Sequence, residues 1–101
     1  MDKNSLTFQI GDNGCRIHAI CQGKSIGNIF FVRIGIDKIM ISEAEIDPEY
    51  QAREIELYLI QEIINIAREQ NRKVISICSY INDIFSLHPE FDDVRLLNNG
   101  R

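Results

Sequence analysis

The sequence predicts an α/β fold of the α+β kind. A mixed sheet opens with an N-terminal antiparallel strand meander, followed by a long helix, a parallel-type strand and a short helix. Three observations carry this. Asn13-Gly14 stands between two runs of alternating apolar residues, and both residues tolerate the positive φ that a tight hairpin needs. At Asp47-Pro48 the apolar spacing changes from the strand period to the helical one. A short apolar run, Val74 to Cys78, then follows the helical stretch. The second half therefore reads strand, helix, strand, the unit that sets two strands parallel.

The elements follow in order. Leu6, Phe8 and Ile10 alternate along a first strand. Cys15, Ile17, Ala19 and Cys21 share one face of a second, which predicts a core face, with Arg16, His18 and Ile20 pointing the other way. After the turn Gln22-Gly23-Lys24-Ser25 comes a long β-branched and aromatic run, Ile26 to Ile34. Its apolar part, Ile29 to Ile34, is expected at an exposed edge, where it could pair between chains. Ile39 to Ile46 is a fourth strand, on which Glu43 and Glu45 alternate with Met40, Ser42, Ala44 and Ile46. Asp47 can cap a helix and Pro48 suits a first turn, so a helix is expected from there to about Gln70. Ile55, Leu59, Ile63, Ile66 and Ala67 form its apolar stripe, broadened by Leu57, Ile60 and Ile64. Asn71-Arg72 ends it. Val74 to Cys78 reads as a strand buried on both faces. Ile81, Ile84, Phe85 and His88 then space as a short helix, stopped by Pro89. The tail from Arg95 to Arg101 is expected to fray.

A chain of 101 residues, 45% hydrophobic, is one domain, residues 1–101, with a modest core. A net charge of -4 opposes a sequence-independent grip on nucleic acid or an anionic membrane. Met1-Asp2-Lys3-Asn4-Ser5 lacks the apolar core of a signal peptide, and no apolar run approaches a membrane span. The expected location is the cytoplasm. Three cysteines without a CxxC, and two scattered histidines, do not form a zinc pattern. No metal is expected.

One stretch carries more information than pattern alone. Cys78-Ser79-Tyr80-Ile81 is followed by His88-Pro89-Glu90-Phe91-Asp92-Asp93-Val94, and the fourth strand ends in Glu45-Ile46-Asp47-Pro48-Glu49. Together with the element order this resembles the GNAT-type N-acetyltransferase fold, and most of all its smallest, single-domain branch. The likeness runs from about Ile41 to Val94. It implies acetyl-CoA or CoA as cofactor, held where glycines let helix-start N–H groups approach the pyrophosphate. The matching positions here are Ala52, Arg53, Glu54, Ile55 and Glu56, and the glycine places hold Ala52, Glu54 and Glu56. A Glu charge about 4 Å from a phosphate charge costs about 4 kcal/mol at an effective dielectric near 20, roughly a thousandfold in affinity. The family's His-Thr pair before Pro-Glu is replaced by Glu43-Ala44. The same glutamates suit the first turn of a helix, whose N–H groups favour negative side chains.

The resemblance also places Cys78 near the thioester, as nucleophile or lining group, and Tyr80 and Phe85 beside the pantetheine arm. A reactive Cys needs a lowered pKa, and a small buried residue is the plainer account of Cys78. His88 fits a helix end better than a general base. Two readings stand. One is an acetyl-CoA-dependent N-acetyltransferase acting on an amine of a small molecule or protein. The other is a non-catalytic module of the same fold that has weakened or lost the cofactor and binds a small-molecule or protein partner, as monomer or homodimer. The loop residues favour the module.

Overall fold

The structure is a computed structural model, and it describes residues 5–11, 14–50 and 53–96, with the Arg53 side chain excepted. Five strands form one sheet in the order β1 (Thr7–Gly11), β2 (Arg16–Cys21), β3 (Lys24–Ile34), β4 (Lys38–Ile46), β5 (Lys73–Ser76). β1 to β4 are antiparallel neighbours; β4 and β5 run parallel. Helix α1 (Arg53–Gln70) connects those two, and α2 (Ser79–Ser86) follows β5. The expected order of elements is present, with the meander first.

The core is the α1 face of the sheet. Ile55, Leu59, Ile60, Ile63, Ile64 and Ala67 of α1 are buried, as are Ile17, Ala19, Ile29, Phe31, Ile39, Ile41 and Val74 of the strands. The apolar stripe therefore lies on the sheet as its spacing predicts, with Leu57 and Ile66 half-buried at its borders. Gly27 sits where the helix crosses: a Cβ there would meet Ile46 Cδ1 at 2.8 Å and Ile55 Cγ2 at 3.5 Å. Asn71 closes α1 in the left-handed region, at φ 54. The Arg72 N–H donates to the Ala67 carbonyl (2.8 Å) and the Asn71 N–H to that of Arg68 (3.4 Å). These are the two bonds of a Schellman stop.

Several expectations are corrected. β3 is the central strand, between β2 and β4, so Ile29 to Ile34 is no edge. Cys15 lies in the turn before β2 and is exposed, so the core face of β2 is Ile17 and Ala19, with Cys21 half-buried against the core at its end. Asp47-Pro48 opens a single 3-10 turn, Pro48–Tyr50, before α1 starts at Arg53. Asp47 caps that turn, its Oδ1 accepting the Glu49 N–H at 3.0 Å. β5 stops at Ser76, and Ile77 is 67% exposed, because among the described residues helices cover one face of the sheet only. Of the tail, Arg95 and Leu96 are pinned: the Leu96 N–H donates to the Val74 carbonyl (2.8 Å) and the Val74 N–H to that of Val94 (2.6 Å). This covers the outer edge of β5. Asp12, Asn13 and the residues from Leu97 onward lie outside the described residues, though Gly14 holds the positive φ (85) that the hairpin signal requires.

Arg68 of α1 fastens the C-terminal turn. It donates to both carboxyl oxygens of Asp93 (3.1 and 2.9 Å) and to the Glu90 carbonyl (3.0 Å), while Lys73 Nζ donates to the Asp93 carbonyl (2.6 Å). The Arg68 hydrogen bonds hold the Asp93 carboxyl below its ordinary value of 3.8. Because that pKa is depressed in the folded state, its stabilisation is complete above 3.8 and is lost as pH falls through the folded value. Asp93→Asn should therefore flatten the acid limb of the urea midpoint plotted against pH; an unchanged limb would remove this contact from the account. In the core, Ile63→Ala should cost about 2–5 kcal/mol in urea unfolding, the usual range for a truncation at a fully buried site.

Candidate functional site: the parting of β4 and β5

The site starts with a register shift. β4 pairs Ile41 with Phe31 but Glu43 with Phe30, so Ser42 is one residue too many and forms a bulge. The bulge changes which parity faces the core. Before it Ile39 and Ile41 point inward; after it Ala44 and Ile46 do, and Glu43 and Glu45 stay exposed. Without a bulge, Glu43 and Glu45 would follow Ile41 into the core. The Ser42 hydroxyl donates to the Phe30 carbonyl at 3.3 Å and holds the bulge to β3.

The same position ends the parallel pairing. β5 matches Lys38 to Ile41 of β4, residue for residue, up to Ile41↔Ser76. One more bond follows, from the Ile77 N–H to the Ile41 carbonyl (3.2 Å). Beyond it the chain turns into α2, and among the described residues no strand pairs with the β5 side of Ser42–Ile46. The strands thus part at Ser42, leaving a crevice lined by backbone groups.

Cys78 stands at the β5 exit, at the N-cap position of α2, in extended conformation. Its N–H donates to Ser76 Oγ (3.1 Å), and its carbonyl accepts from that hydroxyl (3.2 Å) and from the Asn82 N–H (3.0 Å). Asn82 Nδ2 also donates to the Ser76 carbonyl (3.2 Å). The turn is held by backbone and by Ser76 and Asn82, neither of which sequence reasoning singled out. Cys78 itself is half-buried and packs against the core.

Tyr80 and Glu56 are brought together. The Tyr80 hydroxyl donates to Glu56 Oε1 at 2.8 Å, and Glu56 is only 9% exposed. Glu56 belongs to the first turn of α1 together with Glu54. Two segments read separately in the sequence, the altered loop and the downstream signature, therefore meet in one contact. Spacing alone could not show it, since the partners lie 24 residues apart.

The remaining expected positions scatter. Ile55 and Phe85 are core residues, each 1% exposed, and offer no surface to a ligand. The Phe85 ring meets Phe91 edge-on at 6.1 Å, and the Arg95 guanidinium lies 5.4 Å from its centroid. Ala52 and the Arg53 side chain fall outside the described residues. Glu54 lines a shallow hollow of about 230 Å³ with Leu57, Ile84, Leu87 and His88. His88 stacks on Phe91 (5.7 Å between centroids), and its Nδ1 lies 3.0 Å from Glu90 Oε2. It therefore holds the 3-10 turn Pro89–Phe91. Among the described residues no group of three His, Cys, Asp or Glu could hold a metal, and no helix is long and apolar enough to cross a membrane.

Known proteins give this geometry a setting. No curated protein matches the sequence. A GCN5-like protein of Staphylococcus aureus, solved in solution, superposes with a TM-score of 0.68 over 94% of this chain and 93% of its own, at 19% identity. N-acetylglutamate synthase of Neisseria gonorrhoeae, solved with coenzyme A and N-acetyl-glutamate, matches with a TM-score of 0.64 at 13% identity. That match covers 84% of this chain and 22% of the synthase. At such identities the likeness is one of fold. The profile of the GCN5-related N-acetyl-transferase family matches residues 15–94, and the chain belongs to that family.

Proposed function

We propose that this domain is a non-catalytic member of its family, which keeps the β4–β5 crevice but has given up the pyrophosphate end of the cofactor site. The single observation behind this is the Tyr80–Glu56 contact. A carboxyl group, nearly buried and fixed by a hydroxyl at 2.8 Å, occupies the first turn of α1. In the resemblance, Glu56 stands at a glycine position that would let a phosphate approach. Glu54, at a second such position, shares that turn. The hollow beside it is lined by Glu54, Leu57, Ile84, Leu87 and His88, so among the described side chains a phosphate there would meet a carboxylate and an apolar wall with no Lys or Arg to pair with it. These residues do not fit the pyrophosphate of CoA. The domain then acts by binding a small molecule or a protein that brings no phosphate to that turn.

The parted strands favour a second reading, an acetyl-CoA-dependent N-acetyltransferase. Unpaired backbone N–H groups in a crevice can polarise a thioester carbonyl while an amine attacks it directly, so positioning supplies most of the catalysis. The two readings differ at one place, the helix start.

Calorimetric titration with acetyl-CoA should give no measurable heat of binding, and a low-micromolar dissociation constant would decide for the enzyme. The double change Glu54→Gly with Glu56→Gly should create measurable binding if the helix start is the obstacle; an unaltered titration would locate the loss elsewhere in the crevice. Tyr80→Phe should cost about 1–3 kcal/mol in unfolding experiments, since it strips the partner from a nearly buried carboxyl. If Tyr80→Phe leaves stability unchanged, the contact does not organise the helix start. Maleimide labelling should modify Cys15 well before Cys78, following exposure; the reverse order would make Cys78 a reactive thiol.

A further inference from the structure

Among the described residues no helix covers the strand face turned away from α1. Its outward residues on β2 to β5 include Arg16, His18, Asn28, Phe30, Val32, Ile34, Met40, Glu43, Glu45 and Ile75, and not one of them is buried. Val32 and Ile34 are 40% and 39% exposed, and Met40 and Ile75 adjoin Val32 in register. A contiguous apolar patch of this kind on a small domain marks an interaction surface.

The pairing register says what fits it. Arg16 on β2 is opposite Phe30 on β3, and Phe30 is opposite Glu43 on β4. One step along the strands, His18, Asn28 and Glu45 are aligned in the same way. Each row runs from a basic side chain on β2 through a neutral one on β3 to an acidic one on β4. Such a row is complementary to itself. A two-fold axis lying along β3, between two facing sheets, sets β2 of one copy over β4 of the other. Arg16 then faces Glu43 of the second copy, and His18 faces Glu45. The outward residues of β3 lie on the axis and meet their own copies, so Phe30, Val32 and Ile34 form a shared apolar spine. Sheets packed face to face in this manner are a standard arrangement, about 10 Å apart.

We propose that the uncovered face of the sheet is a homodimer interface, a second copy docking on it about a two-fold axis parallel to β3 and matching the Arg16–Phe30–Glu43 and His18–Asn28–Glu45 rows. An isologous contact of this type closes on itself and leaves no patch exposed. It also buries the apolar spine while the charges fix the register.

Sedimentation equilibrium of the full chain, up to about 200 µM, tests this. The native chain should show a reversible monomer–dimer equilibrium. Arg16→Glu alone and Glu43→Arg alone should each weaken the dimer at least about tenfold, since like charges then face each other twice. An equimolar mixture of these two variants should dimerise again, because the hetero-pair restores both contacts. Val32→Glu, on the axis, should be monomeric in every mixture. Circular dichroism confirms that each variant is folded. A native chain monomeric throughout the range overturns the proposal, as does a dimer indifferent to Arg16→Glu or a mixture of the two reversals that stays monomeric.

Discussion

The extra residue at Ser42 is the constraint on which the rest of the structure depends. A strand alternates faces without exception, and the sequence Ile39-Met40-Ile41-Ser42-Glu43-Ala44-Glu45-Ile46 cannot satisfy the core with one parity. Ile39 and Ile41 need the inside; so do Ala44 and Ile46. The bulge reconciles them by spending one residue against β3. The parallel pairing with β5 ends beside it, at Ile41. One local event thus keeps two carboxyls out of the core and opens the crevice. It also aligns Glu43 and Glu45 with Phe30 and Asn28 on the outer face. The crevice and the proposed dimer face are two sides of the same register.

The helix start adds a second constraint, of charge. The first turn of α1 offers unsatisfied N–H groups and a partial positive charge. In a phosphate-binding relative an anionic ligand would meet that need. Here acidic side chains of the chain itself stand there: Glu54, exposed, and Glu56, turned inward to Tyr80. The arrangement is self-consistent, since the acidic side chains meet the need of the helix start and the Tyr80 hydroxyl ties α2 to it. The Arg68–Asp93 pair and the Val74–Leu96 bond do similar work at the other end of α1 and on β5, tying the last described residues to the body.

Much of this was legible in the sequence. The α1 stripe, the Asn71 stop, the turn at Gly14 and the order of strands follow from period and turn chemistry, and all are present. The family signature was legible for the same reason, because Cys78, Pro89 and their neighbours close local turns. What was not legible depends on position in the sheet. β3 looks like an edge in a list of residues and is the centre of the sheet, since an apolar run carries no label of its neighbours. Phe85, which the resemblance sets beside the pantetheine arm, is a core residue, as aromatics at such spacing more often are; the Phe91 ring meets it edge-on and the Arg95 guanidinium lies over it. The bulge left a trace that plain alternation overlooks: the apolar parity of β4 reverses between Ile41 and Ala44. The Tyr80–Glu56 contact left none, since it requires knowing how α2 lies along α1.

The central claim is that the crevice persists while its phosphate end is closed, and the most direct measurement compares CoA with pantetheine, the same arm without phosphates. Amide chemical shifts of the labelled protein, followed during both titrations, would report where each ligand acts. If the account is right, CoA binds no more tightly than pantetheine, and the Glu54 to Leu59 amides stay still in both. If CoA binds substantially more tightly and moves those amides, the helix start still accepts a pyrophosphate and the account is wrong.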